Sequence, residues 1–362
     1  MCDVPALRFP EFTGEWERHK LSEVCSFYSG GTPSSSKKEY YNGNIPFIRS
    51  GELHKDYTEL FITEAGLSNS AAKLVETGDL LLALYGATSG DIAISKIKGA
   101  INQAILCIRT KQNKKFIESV WNKHVERLLQ TYLQGGQGNL SADIVKNIPF
   151  YFANSNEQDK LAKFISLLDE RIATQNKIIE KLETLIKGII ETVISSQKPN
   201  TLIKNCLECN SSTLQESQVA ETGTFSVYGA TGISGYTETA DINGESILII
   251  KDGSSVGIVK FVTGEYSYIG TLNSLIAKDG YCLKYIYFAL QRFSFEPYKT
   301  GMAIPHIYFK DYGKAKIYCP SLSLQTLIAQ KLSLIENKME VEKRIILCYQ
   351  LQKSYLLSRM FI

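Results

Sequence analysis

EQDKLAKFISLLDERIATQNKIIEKLETLIKGIIETVIS, residues 157–195, contains no proline, and its apolar residues keep a single helical rhythm. Leu161, Ile165, Leu168, Ile172, Gln175, Ile179, Leu182, Ile186, Ile189 and Val193 alternate steps of four and three, the seam of a coiled coil. Only Gln175 in that series is polar. A second series answers it near the C-terminus: Ile328, Leu332, Ile335, Met339, Glu342, Ile346, Tyr349, Lys353, Leu356 and Met360, each 167 positions after its counterpart. The central polar steps, Gln175 and Glu342, set the helix-pair register, because only an antiparallel pairing brings centre to centre. Two antiparallel helices of about 35 residues are expected, each roughly 50 Å long at 1.5 Å per residue. The plainer alternative is two unrelated amphipathic helices, but helices of this length rarely pack inside one small core.

Outside these helices, 362 residues leave room for two domains of ordinary size. Hydrophobic content of 44% and charged content of 21% are those of a folded chain. No apolar run reaches the length of a membrane span, and Asp3, Pro5 and Arg8 do not form a signal peptide, so a cytoplasmic location is the default expectation. Eight cysteines are scattered singly apart from Cys206 and Cys209, and one lone C-x-x-C is weak evidence for metal. A net charge of +3 permits nucleic-acid binding through local patches without requiring it.

In chain order, an opening with Trp16 reads as an arm docked on a domain, followed by a polar loop at residues 29–36. A short apolar segment at residues 45–49 leads to Ser50 and Gly51. A strand at residues 80–85 turns through Gly86 to Gly90 and resumes at residues 92–94. A helix is expected over residues 114–134, ahead of a glycine-rich loop at residues 135–139. After a linker at residues 195–200 the plan repeats: strand 246–251, turn 252–257, return strand 258–261, helix 281–293. Gly86 and Gly253 are 167 apart, as are Gly90 and Gly257, so loops and helices share one period and the chain reads as an internal duplication.

Catalytic signals are sparse. His19, His54, His124 and His306 show no paired ligand spacing, and no phosphate-binding loop or nucleophile elbow occurs. No metal ligand and no catalytic residue is singled out. Gly229, Gly232 and Gly235 read as a turn rather than a dinucleotide fingerprint. The two segments at residues 44–47 and 147–150 resemble the Asn-Pro-Pro-Phe site of amino-methyltransferases, yet both lack its first proline. Binding fits better. In the first half Gly30, Gly31, Thr32, Arg49, Ser50, Tyr85, Thr88, Ser89, Gln137 and Asn139 lie on polar loops. In the second half Tyr228, Thr231, Lys251, Ser254, Ser255, Lys299, Thr300 and His306 do, with Lys310 nearby. Such side chains suit base edges and phosphates.

At this point the sequence resembles the specificity subunit of type I restriction-modification enzymes along its whole length. The residues that carry the resemblance are Leu7 to Phe12 with Trp16, the segment at 45–48, and Gly78-Asp79-Leu80-Leu81 leading to Tyr85-Gly86-Ala87-Thr88. In the second half they are residues 228–233 and 301–307, while Gln158-x-x-Leu161-Ala162 and Gln325-x-x-Ile328-Ala329 open the helices. The resemblance implies an α+β fold: two similar target recognition domains, each a mixed sheet with helices, separated by two long helices forming an antiparallel coiled coil with a pseudo-twofold repeat. The expected parts are a first recognition domain at 1–156, a central helix at 157–197, a second recognition domain at 198–323 and a C-terminal helix at 324–362. It implies a non-catalytic subunit that reads a bipartite, asymmetric double-stranded DNA site. The helix pair would be a ruler and a dock for two methyltransferase subunits, with restriction subunits completing the assembly. S-adenosylmethionine and ATP with magnesium would belong to those partners, with no cofactor on this chain and no membrane involved. Leu167, Ile178, Leu185 and Ile190, apolar beside the seam, support docking. Lys353 on the second seam marks a wetter or partner-covered end. The rival expectations are a coiled-coil adaptor without DNA specificity and an unrecognised DNA methyltransferase or nuclease.

Overall fold

A computed structural model describes residues 4–132, 139–301 and 303–362. The chain divides into two units, residues 1–175 with 345–362, and residues 176–344. In chain order the first unit contains β1 (Glu17–Lys20), α1 (Leu21–Val24), β2 (Cys25–Ser29), β3 (Tyr41–Ile48), β4 (Phe61–Ile62), α2 (Glu64–Ser68), β5 (Lys73–Val75) and β6 (Leu80–Ala83). β7 (Ile92–Ile94), β8 (Gly99–Ile101), β9 (Ile105–Thr110), α3 (Lys114–Tyr132), α4 (Ala142–Asn147), β10 (Pro149–Phe152) and the start of α5 (Ser155–Ile190) follow. One sheet has the order β2-β9-β6-β7 and a second β4-β3-β8-β5, while β1 pairs with β10. β6 is apolar at every position because both of its faces are covered. Leu80 and Leu82 enter one core cluster, and Leu81 and Ala83 another.

The second unit contains β11 (Thr201–Leu202), α6 (Ile203–Cys206), β12 (Leu207–Ser211), β13 (Phe225–Gly229), β14 (Gly232–Thr237), β15 (Ile242–Ile250), β16 (Val259–Tyr268) and β17 (Leu272–Ala277). α7 (Leu283–Gln291), α8 (Phe309–Tyr312), β18 (Lys316–Ile317) and much of α9 (Leu322–Met360) complete it. Its sheet order, β12-β17-β15-β16-β13-β14, begins with the counterpart of β2-β9-β6-β7. Even the register repeats: Leu80 opposes Ile108, and Ile247 opposes Leu275, both members shifted by 167. The duplication therefore extends to strand pairing. The units part at the edges, where the first inserts a separate four-stranded sheet and the second adds the β13–β14 hairpin.

The long helices bury their stripes within each unit. In the first, Leu161, Ile165 and Leu168 of α5 share a core with Leu356 and Met360 of α9, beside Trp16 and Phe116. In the second, Ile186 and Ile190 pack with Ile328 and Leu332. The head of one helix thus meets the tail of the other in each unit, the antiparallel sense expected. All ten seam positions of α9 are buried or half-buried. On α5 the seam changes register at its end: Ile190 and Ile194 are buried, whereas Val193 is exposed. A π-helical turn at Glu191–Ser195 adds a residue to the spacing and rotates the stripe. Ile190 is therefore core and unavailable for docking, while Leu167 and Leu185 are exposed as anticipated. Lys353 is not an open end, because its Nζ donates to Asp169 Oδ1 at 2.5 Å within the same unit.

Gln158 and Gln325, which open the helix motifs, play one mechanical part. Gln158 Nε2 donates to the Ala153 carbonyl at 2.7 Å, and its Oε1 accepts from the Asn113 amide at 3.1 Å. Gln325 does the same with the Pro320 carbonyl (2.8 Å) and the Cys282 amide (3.0 Å). Each buried amide ties the start of a long helix to the segment entering α3 or α7, satisfying backbone groups that would otherwise be stranded. Gln175 and Glu342 are both buried on their helices, and Lys338 donates to Glu342.

Smaller expectations are corrected. α3 is described to Tyr132, and positions 133 and 134 of the expected helix lie outside the described residues. The helix read over residues 281–293 is the shorter Leu283–Gln291, because Cys282 caps its start and Arg292 leaves helical geometry. The neighbour of Cys206 is Cys319, with sulfurs 3.8 Å apart, rather than Cys209.

Candidate nucleic-acid interface

The sequence candidates sit mainly on turns at one end of β6 and β15. In the first unit the turn after β6 is closed by the Gly90 amide donating to the Ala83 carbonyl at 2.8 Å. The Leu140 amide donates to the Leu84 carbonyl at 2.9 Å and brings exposed Asn139 beside Tyr85, Thr88 and Ser89. In the second unit the Gly257 amide donates to the Ile250 carbonyl (2.9 Å) and the Ile307 amide to the Lys251 carbonyl (3.0 Å). Every atom in the second pair of bonds is 167 positions after its partner in the first. Gly90 and Gly257 adopt φ of +88° and +92°, and a side chain there would strike Leu129 or Phe295. The same backbone device therefore holds two loops together in each unit.

Further bonds join the second pair of loops. The Gly253 amide donates to the Pro305 carbonyl at 2.9 Å, and Thr300 and His306 exchange backbone hydrogen bonds at 2.9 and 2.8 Å. Ser254, Ser255, Thr300 and His306 are thus gathered around Lys251. Tyr228 and Thr231 lie on and beyond β13, and the Tyr228 ring stands edge-on to Tyr266 with centroids 5.5 Å apart. Lys260, which reads in the sequence only as a strand residue, lies over that ring at 4.6 Å. Its signal is positional: in β16 it is the exposed member between Val259 and Phe261.

Not every candidate cation is available to an anionic ligand. Arg49 is held by Glu52 (2.8 Å) and Glu59 (2.9 Å), and those hydrogen bonds push its pKa up. Burial opposes ionisation of Glu52, but hydrogen bonds from Arg49 and Thr58 hold its carboxyl down at about 2. Ser50 begins the short 3-10 turn that carries Glu52, so this corner is a structural ion-pair site. Lys299 is likewise paired with Glu296. Lys251, Lys260 and Lys310 make no ion pair among the described residues.

The 30–32 loop has a strong packing reason for its composition. A Cβ on Gly30 would fall 1.7 Å from the Ile101 carbonyl oxygen, and one on Gly31 2.6 Å from Ala71 Cβ. Thr32 alone there presents an exposed side chain, donating to Gln103 at 2.8 Å. Gln137 lies outside the described residues. Ser89 turns inward and donates to the Leu84 carbonyl at 2.9 Å. Among the described residues no cluster of three or more His, Cys, Asp and Glu could hold a metal ion, and no helix is long and apolar enough to cross a membrane.

Comparison with known proteins adds a family. The model of the type I restriction modification DNA specificity domain matches twice, at residues 13–184 and 203–347. The Escherichia coli type I restriction enzyme EcoR124I/EcoR124II specificity subunit is 27% identical over 187 residues, 49% of this chain and 45% of that protein. A Methanocaldococcus jannaschii counterpart, the MjaVIII specificity subunit, is 24% identical over 53% of this chain and 44% of its own length. These matches therefore span under half the length of those relatives. The Escherichia coli EcoprrI specificity subunit aligns over 85% of this chain and 84% of its own, at 21% identity. Among solved structures, the S subunit of a type I restriction-modification system from M. genitalium superposes with a TM-score of 0.70, 17% identity and 99% coverage of both chains. A chain from a study of type I complex assembly and conformational transition gives 0.55 at 14% identity, over 96% of this chain and 97% of that one.

Proposed function

The chain belongs to the type I restriction modification DNA specificity family, and from that premise we propose that it reads a bipartite, asymmetric duplex site, one part with each of its two recognition domains. The domains in this reading are residues 1–156 and 198–323, joined by the helices at 157–197 and 324–362. The observation that carries the reading is the pair of equivalent loop clamps, Leu140 on Leu84 and Ile307 on Lys251. A main-chain clamp fixes where the loops stand while leaving their side chains free to differ, which is what reading two different sequences requires. Tyr85, Thr88 and Asn139 in the first unit, and Thr231, Lys251, Ser254, Ser255, Thr300 and His306 in the second, are the proposed base and phosphate contacts.

Docking in this proposal uses the exposed apolar residues of the helices. Leu167 and Leu334 are 167 positions apart, and both are exposed, at 52% and 64%. Equivalent exposed leucines suit two copies of one partner, here two methyltransferase subunits, with restriction subunits joining them. The chain itself performs no chemical step, and S-adenosylmethionine and ATP with magnesium are bound by the partners. The continuous helices set the gap between the two half-sites.

Exchanging residues 201–321 for the same span of a relative tests the proposal. The methylated sites of cells carrying the hybrid with its methyltransferase partner are expected to change in one half-sequence and keep the other. A change in both halves, or in neither, would show that the units do not read independently.

A further inference from the structure

The second unit exposes isoleucine at its loop end, whereas the first exposes polar groups and the tyrosines Tyr57 and Tyr85. Ile233 follows Gly232 at the start of β14 and is 53% exposed. Ile258 precedes β16 at 58%, and Ile304 precedes Pro305 at 62%. These positions belong to one group of loops. Ile258 lines a cavity of about 180 Å³ with Tyr228, Thr231, Gly232 and Lys260. The Gly253–Pro305 hydrogen bond ties the turn before Ile258 to the loop that carries Ile304. The position 167 before Ile258 is Asp91, which hydrogen-bonds His54 at 2.8 Å, so the first unit has no apolar group there.

Isolated exposed isoleucines are ordinary, but Ile258 and Ile304 stand on loops tied by a hydrogen bond, and Ile233 follows the Gly232 that lines the Ile258 cavity. The three form an apolar spot edged by Lys251 and Lys260, which have no ion-pair partner among the described residues, and by Asp252. In duplex DNA the only apolar group on a base edge in the major groove is the C5-methyl of thymine, and phosphates flank it on both sides. We propose that the second unit reads thymine methyl groups with Ile233, Ile258 and Ile304, so that its half-site contains A·T pairs recognised by apolar contact, while the first unit reads its half-site by hydrogen bonds. The inference rests on the family reading of these loops as DNA readers and adds the base chemistry that one of them selects.

Uracil pairs as thymine does but lacks the methyl, and this gives the test. The site is first mapped from methylation, and the half read by the second unit is identified with the 201–321 exchange. Binding of the assembled complex of this chain with its methyltransferase subunits is then measured on duplexes carrying uracil for thymine in one half or the other. Uracil in the second unit's half should weaken binding about fourfold for each buried methyl group removed, against less than twofold in the other half. Ile258→Ser and Ile304→Ser should weaken binding to the thymine duplex and abolish the response to uracil. Equal binding of thymine and uracil duplexes would overturn the proposal, as would a second half-site without A·T pairs, or variants that keep the full uracil response. Variants that fail to assemble with the methyltransferase subunit would show that a protein covers these isoleucines. Absence of any sequence-specific binding by the complex would instead overturn the underlying DNA-reading function.

Discussion

Superimposing the two units by chain position separates what is copied from what is free. β2-β9-β6-β7 and β12-β17-β15-β16 share strand order and register, and the loop clamps recur bond for bond. Around that shared frame the edges diverge. The first unit adds the β4-β3-β8-β5 sheet and an N-terminal arm, whereas the second adds a hairpin and exposed isoleucines. The lesson is that main-chain bonds, indifferent to side-chain identity, hold the repeated geometry. Side chains at loop tips then vary without disturbing it.

The largest expected effect breaks the symmetry. Arg8 in the arm makes a two-pronged ion pair with Glu157, Nε and Nη2 each at 2.7 Å, and Glu157 is buried. The position equivalent to Glu157 in the second unit is exposed Leu324. Arg8→Ala should cost the first unit about 3–5 kcal/mol by stranding a buried carboxylate, seen as lost amide exchange protection around β6 and α3. Equal loss around β15 and α7 would mean that the arm is not private to the first unit. A smaller effect sharpens the symmetry. Gln158→Leu and Gln325→Leu should each cost about 1–3 kcal/mol in denaturant unfolding, because both leave a backbone donor and acceptor unsatisfied. A clearly one-sided result would sink the equivalence of the two amides.

The smallest effect depends on pH and again concerns the first unit alone. Glu52 titrates at about 2 when folded against an ordinary value of 4.5. A depressed carboxylate stabilises the fold above its unfolded value, and the stabilisation is lost as pH falls from about 4.5 toward 2. The stability difference between the wild type and Glu52→Gln should therefore shrink across that window, by about 1–2 kcal/mol given the half-exposed Arg49 partner. A difference independent of pH would show that the carboxylate is not held by Arg49.

The helices and their antiparallel sense were legible because an apolar period of 3.5 is a long-range signal repeated over ten positions. The repeat was legible because glycines with positive φ tolerate few replacements, so Gly86, Gly90, Gly253 and Gly257 preserve the offset. Local errors arose where one position serves two demands. Val193 fits the heptad, but the π turn at Glu191–Ser195 hands its place to Ile194. Gly30 and Gly31 resemble ligand-binding glycines, but their constraint comes from Ile101 and Ala71, neighbours supplied by the fold. Arg49 reads as a free cation until folding sets it beside Glu59 and Glu52. Ile258 and Ile304 read as strand or turn residues because exposure has no local signature in the sequence.

The division of α9 between the units fixes an order of completion during synthesis. Residues 176–344 form the second unit from one continuous segment. The first unit needs Leu356, Met360 and Phe361 in its core, and the Leu7 amide donates to the Arg359 carbonyl at 2.9 Å. Translation proceeds from the N-terminus, and domains generally fold as units as they emerge. The half that is made first must therefore wait, with part of its apolar core open, until residues 356–361 have been made. The half that is made second can close before it.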